Sequence, residues 1–257
     1  MDGVLSQEEI NALLNNNDAA DSSDEILTES EKDAIGEIAN ISMGTAATTL
    51  FSLVNRRVEI STPVVSFSNW DKIVDEYEKP CVFIKIGYTQ GLNGSNILVL
   101  KEKDVKIITD LMMGGDGTNI NGEIGELHLS AISEAMNQMM GSSATSLSSM
   151  LNRTIDISPP IAEVVDLKNT LNEGEIDSFL SEEFVKISFR MEIGDLVDSE
   201  IMQLYPPAFV KEMCKGVSQN MELDTQSVTE DVPQSSNTAT QAAPIQQPQD
   251  VGSMNNA

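Results

Sequence analysis

The sequence predicts an α/β (α+β) domain built as a pseudo-twofold repeat: two helix-strand-helix-hairpin-helix halves sharing a central β-sheet flanked by long helices. Three observations predict it. The stretch Asp33-Ala-Ile-Gly-Glu37-Ile-Ala-Asn40-Ile-Ser-Met-Gly44 is written again 97 positions on, as Ser130-Ala-Ile-Ser-Glu134-Ala-Met-Asn137-Gln-Met-Met-Gly141. The register persists without a gap, so that Asn55-Arg56 answers to Asn152-Arg153 and Ser61-Thr62-Pro63 to Ser158-Pro159-Pro160, and about half the positions between 33 and 63 equal their partners. Further on, Val185-Lys-Ile-Ser-Phe189 resembles Ile84-Lys-Ile-Gly-Tyr88, which extends the repeat into a pair of hairpins at a shifted offset. Finally, 257 residues at 40% hydrophobic content suffice for one substantial core with flanking tails. A half of this kind cannot bury both its helices and its sheet face alone, whereas two halves can share a core.

Residues 1–14 form the first element. Ser6 and Glu9 have capping-box spacing, and Ile10, Leu13 and Leu14 supply the apolar positions of a short amphipathic helix. So short a helix is marginal alone, which leaves two readings: it docks in a partner's groove, or it packs on its own domain. Residues 15–27, rich in Asn, Asp, Ser and Ala, read as a flexible acidic linker.

The domain is expected over 28–220, in halves of about 28–122 and 123–220. Thr28 precedes an acidic first turn, and the helix runs to about Leu53 with Ile35, Ile38, Ala39, Met43 and Leu50 facing the core. Val58 to Phe67 reads as a strand interrupted at Pro63. A short helix at Trp70 to Tyr77 precedes a hairpin, Val82 to Thr89 with Ser95 to Leu100, turning at Gly91–Gly94. The next helix, Lys101 to Met113, ends at Gly114-Gly115. The second half repeats the order: a helix from Ile124 to Leu151, a strand at Ile155 to Pro160 and a short helix near Lys168 to Leu180. A hairpin of Phe184 to Ile193 with Val197 to Tyr205 and a helix from Pro207 to Val217 follow. Residues 221–257 turn to Gln, Pro, Ser, Thr and Asn and are expected to be a disordered linker or tail.

Charge narrows the function. A net charge of −26 with only 15 Lys and Arg argues against binding nucleic acid or an anionic membrane surface. No apolar run approaches the ~20 residues of a membrane span, and no signal peptide is present, so a cytoplasmic protein without direct membrane insertion is expected. Cys81, Cys214 and the lone His128 lack metal-ligand spacing, so no metal site is expected.

Within each repeat, Asp33, Glu37, Asn40 and Gly44 fall on one helix face, as do Ser130, Glu134, Asn137 and Gly141. A single Glu-x-x-Asn reads as a solvated face. Its duplication suggests a shared task, since Asn is a mediocre residue inside a helix, although ancestry alone also preserves residues. Neither pair offers an activated nucleophile. A carboxamide can nevertheless orient a water molecule by donating and accepting hydrogen bonds. That suffices when the electrophile arrives already activated.

The spacing Asp33-x3-Glu37-x2-Asn40-x22-Pro63, repeated as Ser130-x3-Glu134-x2-Asn137-x22-Pro160, resembles the signature of the CheC, CheX and FliY phosphatases. The resemblance covers roughly residues 28–217. It implies a CheC-like fold and a hydrolase acting on the aspartyl phosphate of the chemotaxis response regulator CheY, which ends the signal. Asn40 and Asn137 would position the water, while Glu37 and Glu134 engage the receiver's lysine. Asp33, Ser130, Pro63 and Pro160 would support the motif. No cofactor of its own is implied, the Mg2+ being supplied by the phosphorylated receiver. Separately, the Leu5–Leu14 segment is similar to the peptide by which the motor switch proteins FliM and FliY capture phosphorylated CheY. The combination resembles the FliY branch, implying the flagellar switch proteins FliM, FliG and FliN-like as partners and a place at the cytoplasmic face of the flagellar basal body. That branch continues into a β-rich switch-ring domain, so this chain is expected to be a fragment. The alternative is a non-catalytic switch scaffold that docks CheY.

Overall fold

The computed structural model describes residues 26–77, 80–167 and 173–227. In chain order these form α1 (Glu29–Val54), β1 (Val58–Ile60), β2 (Val64–Ser68), α2 (Trp70–Glu76), β3 (Cys81–Gln90), β4 (Gly94–Lys101) and α3 (Glu102–Met112). The second half supplies α4 (Glu126–Met150), β5 (Asp156–Ile157), β6 (Ile161–Val165), β7 (Phe184–Ile193), β8 (Val197–Tyr205) and α5 (Pro207–Ser227). The peptide at 1–14, most of the linker at 15–27 and the tail from 228 lie outside the described residues.

Thr28 starts α1 through a capping box: its Oγ1 accepts from the Glu31 N–H at 3.2 Å, and Glu31 Oε2 accepts from the Thr28 N–H at 2.9 Å. The helix stops at Asn55, whose φ of 49° is left-handed; its repeat partner Asn152 sits just past α4 with φ of 47°. Asn tolerates that region better than most residues, so this pair of the repeat serves chain geometry.

All strand pairings are antiparallel, which gives the α+β form of the predicted class. The sheet runs β1-β7-β8-β4-β3-β5, with β2 also on β7 and β6 also on β3. The two hairpins, β3–β4 and β7–β8, meet where β4 pairs β8, at Ile97↔Leu204 and Val99↔Met202. The outer strands are exchanged: β1 and β2 of the first half pair with the second half's β7, and β5 and β6 with the first half's β3. The halves therefore interlock, with repeat partners on opposite flanks of one sheet.

Strand alternation then divides the core in two. Val82, Ile84, Ile86, Val185, Ile187, Phe189, Ile201 and Tyr205 face α1, α3, α4 and α5 in the larger cluster, with Ile35, Ile38, Ala39, Met43 and Leu50 buried as predicted. Cys81, Phe83, Ile97, Val99, Met202 and Leu204 face the other way, under Trp70 and Ile73 of α2. At the junction, the buried Gln203 places its Nε2 3.2 Å from Met43 Sδ and 4.0 Å from Met140 Sδ. These two methionines are repeat partners, so Gln203 sits between equivalent points of α1 and α4.

Three expectations need correction. Strand β6 was not anticipated beyond Pro160, although it is the repeat partner of β2. The short α-helix near Lys168 to Leu180 is replaced, among the described residues, by 3-10 turns at Glu173–Glu175 and Ser178–Ser181. Between the two turns the Asp177 carboxylate is held at 2.8 Å by both Lys85 on β3 and Ser95 on β4. That tether fastens the segment to the sheet, and Asp177 Oδ1 accepts from the Phe179 N–H at the start of the second turn. Lastly, α5 continues to Ser227, past the point where the tail was expected to begin, because neither Gly nor Pro interrupts residues 217–227.

Candidate active site

The long helices α1 and α4 pack on each other and against the sheet. Burying Ile35, Ile38, Ala39 and Met43 on α1, and Ile132, Ala135, Met136 and Met140 on α4, turns the remaining helical positions outward. Both copies expose the motif identically: Asp33 and Ser130 are exposed, Glu37 and Glu134 are exposed, and Asn40 and Asn137 are half-buried.

Prolines 63 and 160, far from the helical residues in sequence, stand in the β1–β2 and β5–β6 connections, half-buried and buried respectively. Asp33, Glu37, Asn40 and Pro63 line a single cleft of about 380 Å³ with Lys32 and Val65. The structure thus brings the first motif together as one site. In the second copy α4 packs against β5 and β6, which frame Pro160. Among the described residues no group of three His, Cys, Asp or Glu side chains converges as metal ligands.

A pair of serines escaped the sequence reading. Ser61 and Arg190 bond both ways, the Ser61 N–H donating to Arg190 O at 2.9 Å and the Arg190 N–H to Ser61 Oγ at 3.0 Å. Its repeat partner Ser158 does the same with Gly87, at 2.8 and 3.2 Å. Each serine lies two residues before a motif proline and clamps that connection to the opposite half's hairpin. The retained Ser of the repeat was the available signal.

The two sites differ in detail. Gln138 Nε2 donates to Glu134 Oε1 at 2.6 Å, whereas Ile41 occupies the corresponding position beside Glu37 and cannot donate. Lys32 bridges to Glu29 at 2.5 Å and lies 5.2 Å from the Phe67 ring centroid, fastening α1 to β2; Leu129 stands in its place on α4. Burial pushes the thiols of Cys81 and Cys214 up to about 11, which removes both as thiolate nucleophiles near neutral pH. His128 accepts from the Gly125 N–H at 3.2 Å through Nδ1 and so caps the start of α4.

Residues 31–67 and 127–164 match the CheC-like family, one segment for each copy of the motif. The crystal structure of Thermotoga maritima FliY is 42% identical and superimposes with a TM-score of 0.69, covering 76% of this chain and 99% of that one. The chain belongs to the CheC-like family. Another family member, the Bacillus subtilis protein named flagellar motor switch phosphatase FliY, is 47% identical over 83% of this chain. This chain spans 57% of that relative's length. The B. subtilis CheY-P phosphatase CheC is 24% identical over 54% of this chain and 67% of its own. No helix among the described residues is long and apolar enough to cross a membrane.

Proposed function

We propose that this chain hydrolyses the aspartyl phosphate of phosphorylated CheY at two sites, Glu37 with Asn40 and Glu134 with Asn137. The observation that carries the reading is the double presentation of one carboxylate and one carboxamide, each pair on an exposed face of a rigid helix. In this mechanism the Asn side chain accepts from and donates to the attacking water, holding it in line with the phosphorus atom. The Glu carboxylate pairs with the receiver's lysine and fixes the helix against the phosphorylated aspartate. Phosphoryl transfer needs positioning and charge neutralisation more than covalent chemistry, and the receiver contributes the Mg2+ and the activated acyl phosphate. Asp33, Ser130 and the two prolines shape the site; a ring without N–H cannot donate to the phosphoryl group.

Residues 1–14 serve in this reading as a tethered capture peptide that raises the local concentration of the receiver. The wider partners are the flagellar switch proteins FliM, FliG and FliN-like, at the cytoplasmic face of the flagellar basal body. The names of the B. subtilis relatives support the substrate and the setting. The test is phosphate release from phosphorylated CheY with and without this chain. Acceleration well above the spontaneous rate is expected, and an unchanged rate favours the non-catalytic scaffold. Removing residues 1–14 should raise KM several-fold while leaving kcat nearly intact; a large fall in kcat contradicts the tether.

A further inference from the structure

The exposed face of α1 continues beyond the first site. Glu37, Ile41, Gly44, Thr48 and Phe51 follow at i, i+4, i+7, i+11 and i+14, a single stripe along the helix. Ile41 is 42% exposed and Phe51 48% exposed, both large apolar side chains in water. Between them Gly44 is exposed, and a Cβ added there would meet nothing within 4 Å. Glycine weakens a helix interior relative to alanine, and the packing of this fold does not require it here.

Beside the stripe runs a groove of about 640 Å³ between α1, β1 and β7, in which Gly44, Ala47, Phe51, Val58 and Ile60 face the charged side chains of Glu59, Arg190 and Glu192. The groove reaches Ser61, and the cleft holding Glu37 and Asn40 begins at the next residue, Thr62. Groove and cleft are thus consecutive along the same helix and the same strand connection.

The second copy lacks this surface. Gln138 replaces Ile41 and is engaged with Glu134. Ser148 replaces Phe51 and is turned to its own backbone, donating to Ala144 O at 2.8 Å and accepting from the Ile155 N–H at 2.9 Å. Gly141 and Thr145 persist beside Glu134, Gly141 likewise with open space around it.

We propose that Ile41, Gly44 and Phe51, with the adjoining groove, form a docking surface for an apolar ridge of the phosphorylated receiver, giving the first site a tighter hold on substrate than the second. This rests on the hydrolase reading of Glu37 and Asn40, and the continuity of the groove with their cleft selects the occupant. Ile41 and Phe51 act in it as positioning residues, and Gly44 admits a close backbone approach. Apolar contacts ringed by polar groups are where interfaces concentrate their affinity.

The test uses the full chain with one site disabled. Asn137→Ala leaves only the first site able to turn over, and Asn40→Ala only the second. The expected result is a KM about tenfold lower for the Asn137→Ala chain. Adding Ile41→Gln and Phe51→Ser to it, residues that the other copy already uses, raises KM about tenfold with kcat preserved. An unchanged KM overturns the docking surface. Binding of beryllofluoride-activated receiver, compared between chains lacking residues 1–14 with and without Ile41→Gln and Phe51→Ser, gives an independent readout, in which the tighter class of sites is lost. Loss of that class without phosphate release from any variant overturns the hydrolase reading and retains the docking surface; persistence of that class overturns the docking surface.

Discussion

Replacing both Asn40 and Asn137 with alanine is expected to return phosphate release from phosphorylated CheY to the receiver's spontaneous rate. The loss in catalysed rate should be about 10²- to 10³-fold, the scale on which a misplaced reactant or a missing hydrogen-bonding partner is felt. Each single variant should retain the turnover of the site left intact. Both asparagines are half-buried on packed helices, and alanine has no polar group with which to orient a water molecule. Instability offers no rival explanation, because alanine is the better helix former by about 0.5 kcal/mol. Far-UV circular dichroism and thermal melting should match the parent chain. An unchanged rate in the double variant would sink the catalytic assignment.

The second large effect concerns the interlocked halves. A polypeptide of residues 28–122 alone should show no cooperative unfolding transition, and an equimolar mixture with 123–220 should restore one. Separation strips β1 and β2 of β7, their ladder partner, and strips β4 of β8. It also removes α4 from α1, exposing Met43, Ala46 and Leu50, which are fully buried in the intact chain. Each large side chain returned to water costs ~1.5–3 kcal/mol, against a net stability of only ~5–15 kcal/mol for a domain. Circular dichroism during thermal melting of each piece and of the mixture decides it. A sharp transition in either piece alone would show that the exchange of outer strands is dispensable.

Much of this was legible in the sequence. The 3.6-residue period of Ile35, Ile38, Ala39 and Met43, the start of the first long helix after Thr28, and the hairpin boundaries at Phe184 to Ile193 and Val197 to Tyr205 all reappear in the structure. Glu37 with Asn40 stood out because the chain repeats them in register, and the structure exposes both copies. β6 was missed because Ile161-Ala-Glu-Val-Val165 follows two prolines, which usually end a strand, although its repeat partner β2 foretold it. The turns around Asp177 were misread because the tether to Lys85 and Ser95 joins segments more than 80 residues apart.

By itself the sequence determined most of the elements, their order, the duplication and the apolar stripe each long helix would bury, because these depend on spacing and on bonds reaching only a few positions along the chain. Tertiary structure alone decided which half lends its outer strands to which hairpin, since the same alternation of apolar residues suits either partner. It alone placed Ser61 against Arg190 and Ser158 against Gly87, 129 and 71 positions away. It also decided that Ile41 and Phe51 stay exposed on a helix whose copy carries Gln138 and Ser148, because exposure is set by what packs against a face, and nothing in the local sequence records that.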